Sequence, residues 1–199
     1  MAGNLRAMRY VPVMKVLRSL HNPVVAALVL LFAACLPAGA QTAKLDALFA
    51  QLQAADEQSA PDIEAEIWIE WSKSGSAAMD LLLERGREAM AAGETEIAIE
   101  HFTALIDHAP DFAEGWNARA TAYYQTGDFG PSISDIGHVL TLNPRHFGAL
   151  DGLGAIFEEL GRPAQALEVY RASLAIHPHQ PGVLEAVDRL EADAKGQDL

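Results

Sequence analysis

Cysteine is almost missing from this 199-residue chain, and the single one, Cys35, lies in an apolar run near the start. No disulfide framework or thiolate cluster can be built from one sulfur. Aromatic residues are scarce too, at 7%, which suits one modest globular unit or an extended one assembled from small modules. Bases are few, 14 Lys and Arg against 27 Asp and Glu. Four of them, Arg6, Arg9, Lys15 and Arg18, fall within residues 1–40, which hold no acid. That leaves ten bases against 27 acids over the remainder, a net charge of −17. A surface of that sign repels nucleic acid and anionic lipid headgroups, both of which need a positive face. Also missing are a Gly-rich phosphate loop, a G-x-S-x-G elbow and an H-E-x-x-H helix, the local signatures of nucleotide binding, acyl hydrolysis and zinc catalysis.

The basic start runs into an apolar stretch, Val24 to Leu36, too short to span a bilayer comfortably and ended by Pro37. Ala38-Gly39-Ala40 then supplies the small-x-small pattern of a signal-peptidase site. Residues 1–40 are therefore expected to be a secretory signal peptide cleaved before Gln41, with Met8 and Met14 as alternative starts. The mature chain would carry no cysteine, and a periplasmic or secreted location fits it. Lipidation at Cys35 and an uncleaved anchor are the competing expectations.

Beyond the leader, one arrangement recurs. Trp116, Ala120 and Tyr123 share a helix face, Gly127 follows as a helix terminator, and Asp128 is placed to cap a second helix carrying Ser132, Ile136 and Val139 up to Pro144. Thirty-four residues on stand Leu150, Gly154, Phe157, Gly161, Ala166, Tyr170, Ser173 and Pro178. Thirty-four residues back stand Leu82, Gly86, Ala89, Gly93, Ala98, Phe102, Leu105 and Pro110. The prolines at 110, 144 and 178 keep the interval without slippage. Each unit is two short amphipathic helices and a tight turn. No helix pair can bury its apolar face alone, so neighbours must stack. Trp116 is expected in the core, with Trp116→Ala near the top of the roughly 3–5 kcal/mol that a buried tryptophan is worth.

Three in-register copies over Met79–Gln180 resemble the tetratricopeptide repeat (TPR) family, and "NPRHFGALDGLG" is similar to runs in small exported TPR proteins of proteobacteria. The first copy departs most, with Arg85 where Leu is usual and Ala89 where an aromatic belongs. The resemblance implies an all-α, TPR-type right-handed helical solenoid of antiparallel helix pairs, with repeats at 79–112, 113–146 and 147–180. An N-terminal helical hairpin over 41–75 is expected to pack on the first repeat. Its Ser59 and Asp62 form a capping-box-like start, and its Trp68 and Trp71 are expected in the core. Residues 181–199 are expected to form a cap helix with a disordered "GQDL" tail.

The resemblance also implies that the first helices line a concave groove. It assigns to that groove Asp80, Leu83, Glu84, Arg87 and Met90, then Glu114, Asn117, Thr121, Tyr124 and Gln125, then Asp151, Ala155, Glu158 and Glu159. Relatives that clamp a peptide C-terminus use Lys, Arg and Asn at such places. Here only Arg87 and Asn117 qualify and the rest is acidic, so a basic or neutral extended segment is the expected guest, with Asn117 bonding its backbone. The same acids would also serve merely to solvate a helix face. No cofactor or metal is expected: His177 and His179 flank the terminating Pro178, and their rings would leave the turn in different directions. Consecutive acids such as Glu158 and Glu159 point about 100° apart on a helix and cannot share a substrate. The expected function is thus a non-enzymatic, monomeric protein-interaction adaptor of the bacterial cell envelope. A membrane-tethered accessory subunit and a periplasmic metal- or ligand-binding protein are the alternatives. At the loop between repeats, Arg145 and His146 could grip a partner, while Phe147 and Leu150 could staple the incoming helix.

Overall fold

A computed structural model describes residues 38–197; residues 1–37 of the expected leader, Cys35 among them, lie outside these. Nine helices are present among the described residues, and from Gln41 onward they belong to one compact unit. They are α1 (Ala38–Ala54), α2 (Ala60–Trp71), α3 (Ala77–Ala91), α4 (Thr95–His108), α5 (Ala113–Thr126), α6 (Phe129–Leu142), α7 (Phe147–Glu159), α8 (Pro163–Ile176) and α9 (Pro181–Gln197). The architecture is an all-α TPR-type solenoid in which α3–α4, α5–α6 and α7–α8 are successive hairpins. The helix α9 extends to Gln197, two residues into the expected tail.

The turns inside the hairpins are three copies of one device. Gly93, Gly127 and Gly161 take φ of 78°, 78° and 66°, a left-handed conformation that glycine adopts without steric cost. Each lets the next amide reach back to the carbonyl five residues earlier: Glu94 to Ala89, Asp128 to Tyr123 and Arg162 to Phe157, at 2.8–2.9 Å. These bonds satisfy carbonyls the helix end would leave orphaned. Asp128 does not cap α6 with its side chain; its carboxylate accepts from the Thr126 hydroxyl at 2.7 Å. Ser59 likewise makes no side-chain cap for α2. There the Asp56 carboxylate accepts from the Ser59 amide at 2.9 Å and hydroxyl at 2.6 Å, fixing the turn one step earlier than a capping box would.

Within a hairpin the helices touch where one has almost no side chain. A Cβ on Gly86 would overlap the Phe102 ring, and one on Gly154 would overlap the Tyr170 ring. In the middle hairpin Ala120 takes the glycine's place, facing Ile136, and the Ser132 hydroxyl donates to the Ala120 carbonyl at 2.8 Å. That bond explains a serine that is 1% exposed. Between hairpins the cores are shared. Leu83, Phe102 and Leu105 pack with Ala118 and Ala122 of the next hairpin, and Ile136 and Val139 pack with Ala149 and Ile156. Tyr170 packs with Val187 and Leu190 of α9.

Trp116 departs from expectation. It is half-buried rather than core, lying on the His138 ring at 4.2 Å, with its indole N–H donating to the Pro110 carbonyl at 2.8 Å. Its truncation should therefore cost well under the figure for a fully enclosed tryptophan. A sharper test uses two glycines of α7. Gly154→Ala should lose about 2 kcal/mol, because the methyl group has no room beside Tyr170. Gly152→Ala, whose Cβ meets only Ile136 at 3.8 Å, should gain up to about 1 kcal/mol from helix propensity. Urea unfolding of the two variants checks both signs.

Candidate functional site

The first helices α3, α5 and α7 lie side by side and form the floor of the trough that the sequence led us to expect. One end of it, at the start of α7, is covered by the chain itself. The α1–α2 hairpin does not simply pack on the first repeat: it docks on the start of α7 and the end of α8, and reaches α3 through a bond from Arg87 to the Ser72 hydroxyl. Trp68 sits over Gly148, where a Cβ would come within 2.6 Å of its ring, and meets Phe147 edge-on at 5.7 Å. Trp71 stacks flat on His146, with ring centroids 4.1 Å apart and planes 13° apart. Leu48, Phe49, Leu52, Ile67 and Trp71 complete an apolar cluster with Phe147. The tryptophans thus lie where their apolar faces require, but against the third repeat.

Two fully buried histidines organise this contact. At the start of α7, His146 Nδ1 accepts from the Ala149 amide at 3.1 Å, so the proton sits on Nε2, 3.2 Å from a Glu114 oxygen. Beyond α8, His177 Nδ1 faces the His179 amide at 3.4 Å, and Nε2 points at Glu64 of α2, 3.2 Å away. The other Glu64 oxygen accepts from the Trp68 indole at 3.1 Å. His146 is therefore a helix cap and hinge-pin, not a grip for a partner. The staple is present too, since Phe147 is 1% exposed. Arg145 reaches across to Asp46 at 2.6 Å and lies over the Phe49 ring.

Several residues assigned to the groove are consumed by the fold. Glu114 is 3% exposed and accepts from Arg87, His146 and Asn117, a network that stabilises its buried charge. It cannot meet a partner. Leu83 belongs to the core, and Met90 packs against it. The Asp80 carboxylate caps the turn before α3, accepting from the Ser74 amide at 2.8 Å and hydroxyl at 2.6 Å. Glu158 is held by the Tyr170 hydroxyl at 3.0 Å and Arg189 of α9 at 2.7 Å. Ala155 is half-buried. Exposed along the trough remain Glu84, Thr121, Gln125 and Glu159, with Arg87 partly so and Tyr124 and Asn117 half-covered. Between α5 and α7 a narrow cleft of about 90 Å³ runs past Asn117, Thr121, Tyr124 and Gly152, and a wider one of about 490 Å³ opens past Glu84 and Arg87 of α3.

Sequence reasoning did not single out the Arg119–Asp135 pair, a two-pronged contact at 2.7 and 3.0 Å that fastens α5 to α6. Its only signal was a charged residue falling on the inner face of each helix. Nor did it single out Glu70, which is 5% exposed and gripped by Lys44 and Lys73. The two lysines hold that carboxyl below its ordinary range.

With this geometry in place, comparison with known proteins decides the family. The tetratricopeptide repeat profile matches residues 83–137 and 132–181. A TPR repeat-containing protein of Rhizobium etli is 38% identical over 154 residues, 77% of this chain and 76% of that protein. The chain belongs to the tetratricopeptide repeat family. A small glutamine-rich TPR-containing protein of Saccharomyces cerevisiae is 28% identical over 117 residues, which cover 59% of this chain but only 34% of the yeast protein. Among solved structures, the Sgt2 TPR domain from Aspergillus fumigatus overlays with a TM-score of 0.58 at 20% identity, covering 62% of this chain and 83% of that one. The first TPR of Spaghetti (RPAP3), bound to the HSP90 peptide SRMEEVD, overlays with a TM-score of 0.56 at 22% identity, covering 59% and 93%. These likenesses show the shared fold. TPR domains are protein–protein interaction modules.

Asp151 of this TPR array is the trough residue most at odds with its surroundings. Its Oδ1 is buried without a hydrogen-bond partner. Burial pushes the carboxyl up to about 6, with nearby Glu64 adding to the effect and a hydrogen bond from Ser173 opposing it. A raised acid stabilises the fold fully below its unfolded value near 3.8, and that contribution disappears as pH rises through about 6. Asp151→Asn should therefore be more stable than the parent above pH 7, by no more than about 3 kcal/mol. The advantage should shrink as pH falls from 6 to 4. Urea unfolding at pH 4.5 and pH 8 measures it; a difference that is the same at both would contradict the burial argument.

Proposed function

We propose that this chain is a non-enzymatic adaptor of the bacterial cell envelope, exported by its leader and cleaved before Gln41, whose trough holds an extended segment of a partner protein. The observation that carries this reading is the exposed stretch along the first helices. Thr121, Tyr124 and Gln125 on α5 stand between Glu84 on α3 and Glu159 on α7. Of the nearby cations, Arg87 is drawn to Glu114 and Ser72. The side chains left free are acidic, amide or hydroxyl, and they suit a basic or neutral segment. An acidic peptide such as the one bound by Spaghetti would meet Glu84 and Glu159 with like charge. Asn117 donates to Glu114 at 3.3 Å through its amide nitrogen, and its oxygen is the group that would accept a guest's backbone N–H. No helix among the described residues is long and apolar enough to cross a membrane.

A photocrosslinker placed at Tyr124 or Gln125 in cells should capture a partner through a segment rich in Lys, Arg or uncharged residues. Captures arising only from the outer faces of α4, α6 and α8 would overturn the trough assignment. The mass of the protein recovered from the same cells checks the leader, with a free Gln41 as the expected N-terminus.

A further inference from the structure

The α1–α2 hairpin covers the start of α7 and meets the repeats at one place, around Phe147. Among the described residues, the three clusters that join α3 through α9 contain no side chain from α1 or α2. The hairpin's own cluster reaches the array through Phe147 and, at its edge, Ile176. Its buried anchors besides these are the His146 ring under Trp71 and His177 opposite Glu64, and the rest are polar and peripheral. Asp46 and Arg145 are about half exposed, Gln53 donates to the Ala175 and Ile176 carbonyls at the end of α8, and Ser72 accepts from Arg87. Two groups at the contact are buried without hydrogen-bond partners, the Trp71 indole N–H and Asp151 Oδ1. Asp151 also faces Glu64 of the docked helix across a shared cleft. The link to α3 is short and turns at Gly75, φ 82°, and Ser74 fastens its far end to Asp80 of α3, so the hairpin would open about this turn.

We infer that the start of α7 is a receptor for an amphipathic helix bearing Glu, then Trp four and seven residues later, and that the chain's own α2 fills it as a displaceable strap. The receptor is built for each element of that pattern. His177 takes the glutamate of position 64, bare Gly148 makes room for the first indole, and the flat His146 ring stacks on the second. A partner helix with the same spacing would enter by competing with α2. Its binding would then uncover the start of α7 from the chain's own hairpin. This inference rests on the reading of the trough as the binding surface, yet its first test needs no partner.

That test is amide hydrogen exchange on the full chain under native conditions. Ile67 and Trp71 should exchange at least tenfold faster than Phe102 and Ala122, because the strap opens alone while the repeats stay folded. Gly148→Ala, which crowds Trp68, should speed the α2 amides at least a further tenfold and leave Phe102 and Ala122 as protected as in the parent. Exchange of α2 and the repeats at one common rate, in parent and variant alike, would make the hairpin an integral part of the fold and overturn the proposal. The second test uses a fluorescein-labelled peptide of residues 59–73. It should bind Trp68→Ala chain at least tenfold more tightly than parent chain, because the weakened strap yields its seat. Equal binding to both, or none to either, would show that the seat does not accept such a helix.

Discussion

Phe102, Ile136 and Tyr170 occupy the same point of three hairpins, and each meets a residue with one side-chain carbon or none: Gly86, Ala120 and Gly154. This contact sets how closely the two helices of a hairpin approach. That spacing leaves the flanks of each hairpin apolar and too broad to be buried by the hairpin itself. The next hairpin must cover them, and the chain must curve as it repeats the step. The trough is the geometric remainder of that curvature. Burial of ordinary apolar surface, at roughly 25 cal/mol per Å², holds the array together. No disulfide or metal is needed to explain it.

Curvature creates a second problem, since a trough lined by half-covered apolar side chains is itself a surface to be hidden. The chain covers part of it with its own hairpin. Trp68 and Trp71 are large, amphipathic side chains that bury much area for little conformational entropy. The cover is imperfect. Aromatic stacking on His146 and Phe147 favours it, while an unpaired indole N–H and two facing carboxylates oppose it. The balance of those terms separates a strap from a permanent part of the core.

The repeats were legible because their cause is local. A glycine needed at positive φ, a proline that stops a helix and a small residue opposite a large one leave marks at fixed spacing. The site was less legible because its causes are long-range. Apolar faces on α1 and α2 announce that the hairpin packs, but nothing within residues 41–75 names Gly148, far along the chain from Trp68, as the place. Glu114 shows the same limit. Its repeat position puts it at the trough, yet Arg87 and His146, brought in from two other helices, draw it under the surface. Trp116 was misplaced for the opposite reason. Its helix face points to the core, but Pro110 and His138 give the indole a polar, edge-facing berth.

The docking of Trp68 over Gly148 is where the account is most exposed to measurement. Solution NMR of the full chain should show strong nuclear Overhauser contacts between the Trp68 ring and the Gly148 α-protons, with ring-current shifts on both. A Trp68 indole with free-solvent shifts and no contact to Gly148 would contradict it, since the trough would then stand open and α2 would have no seat there.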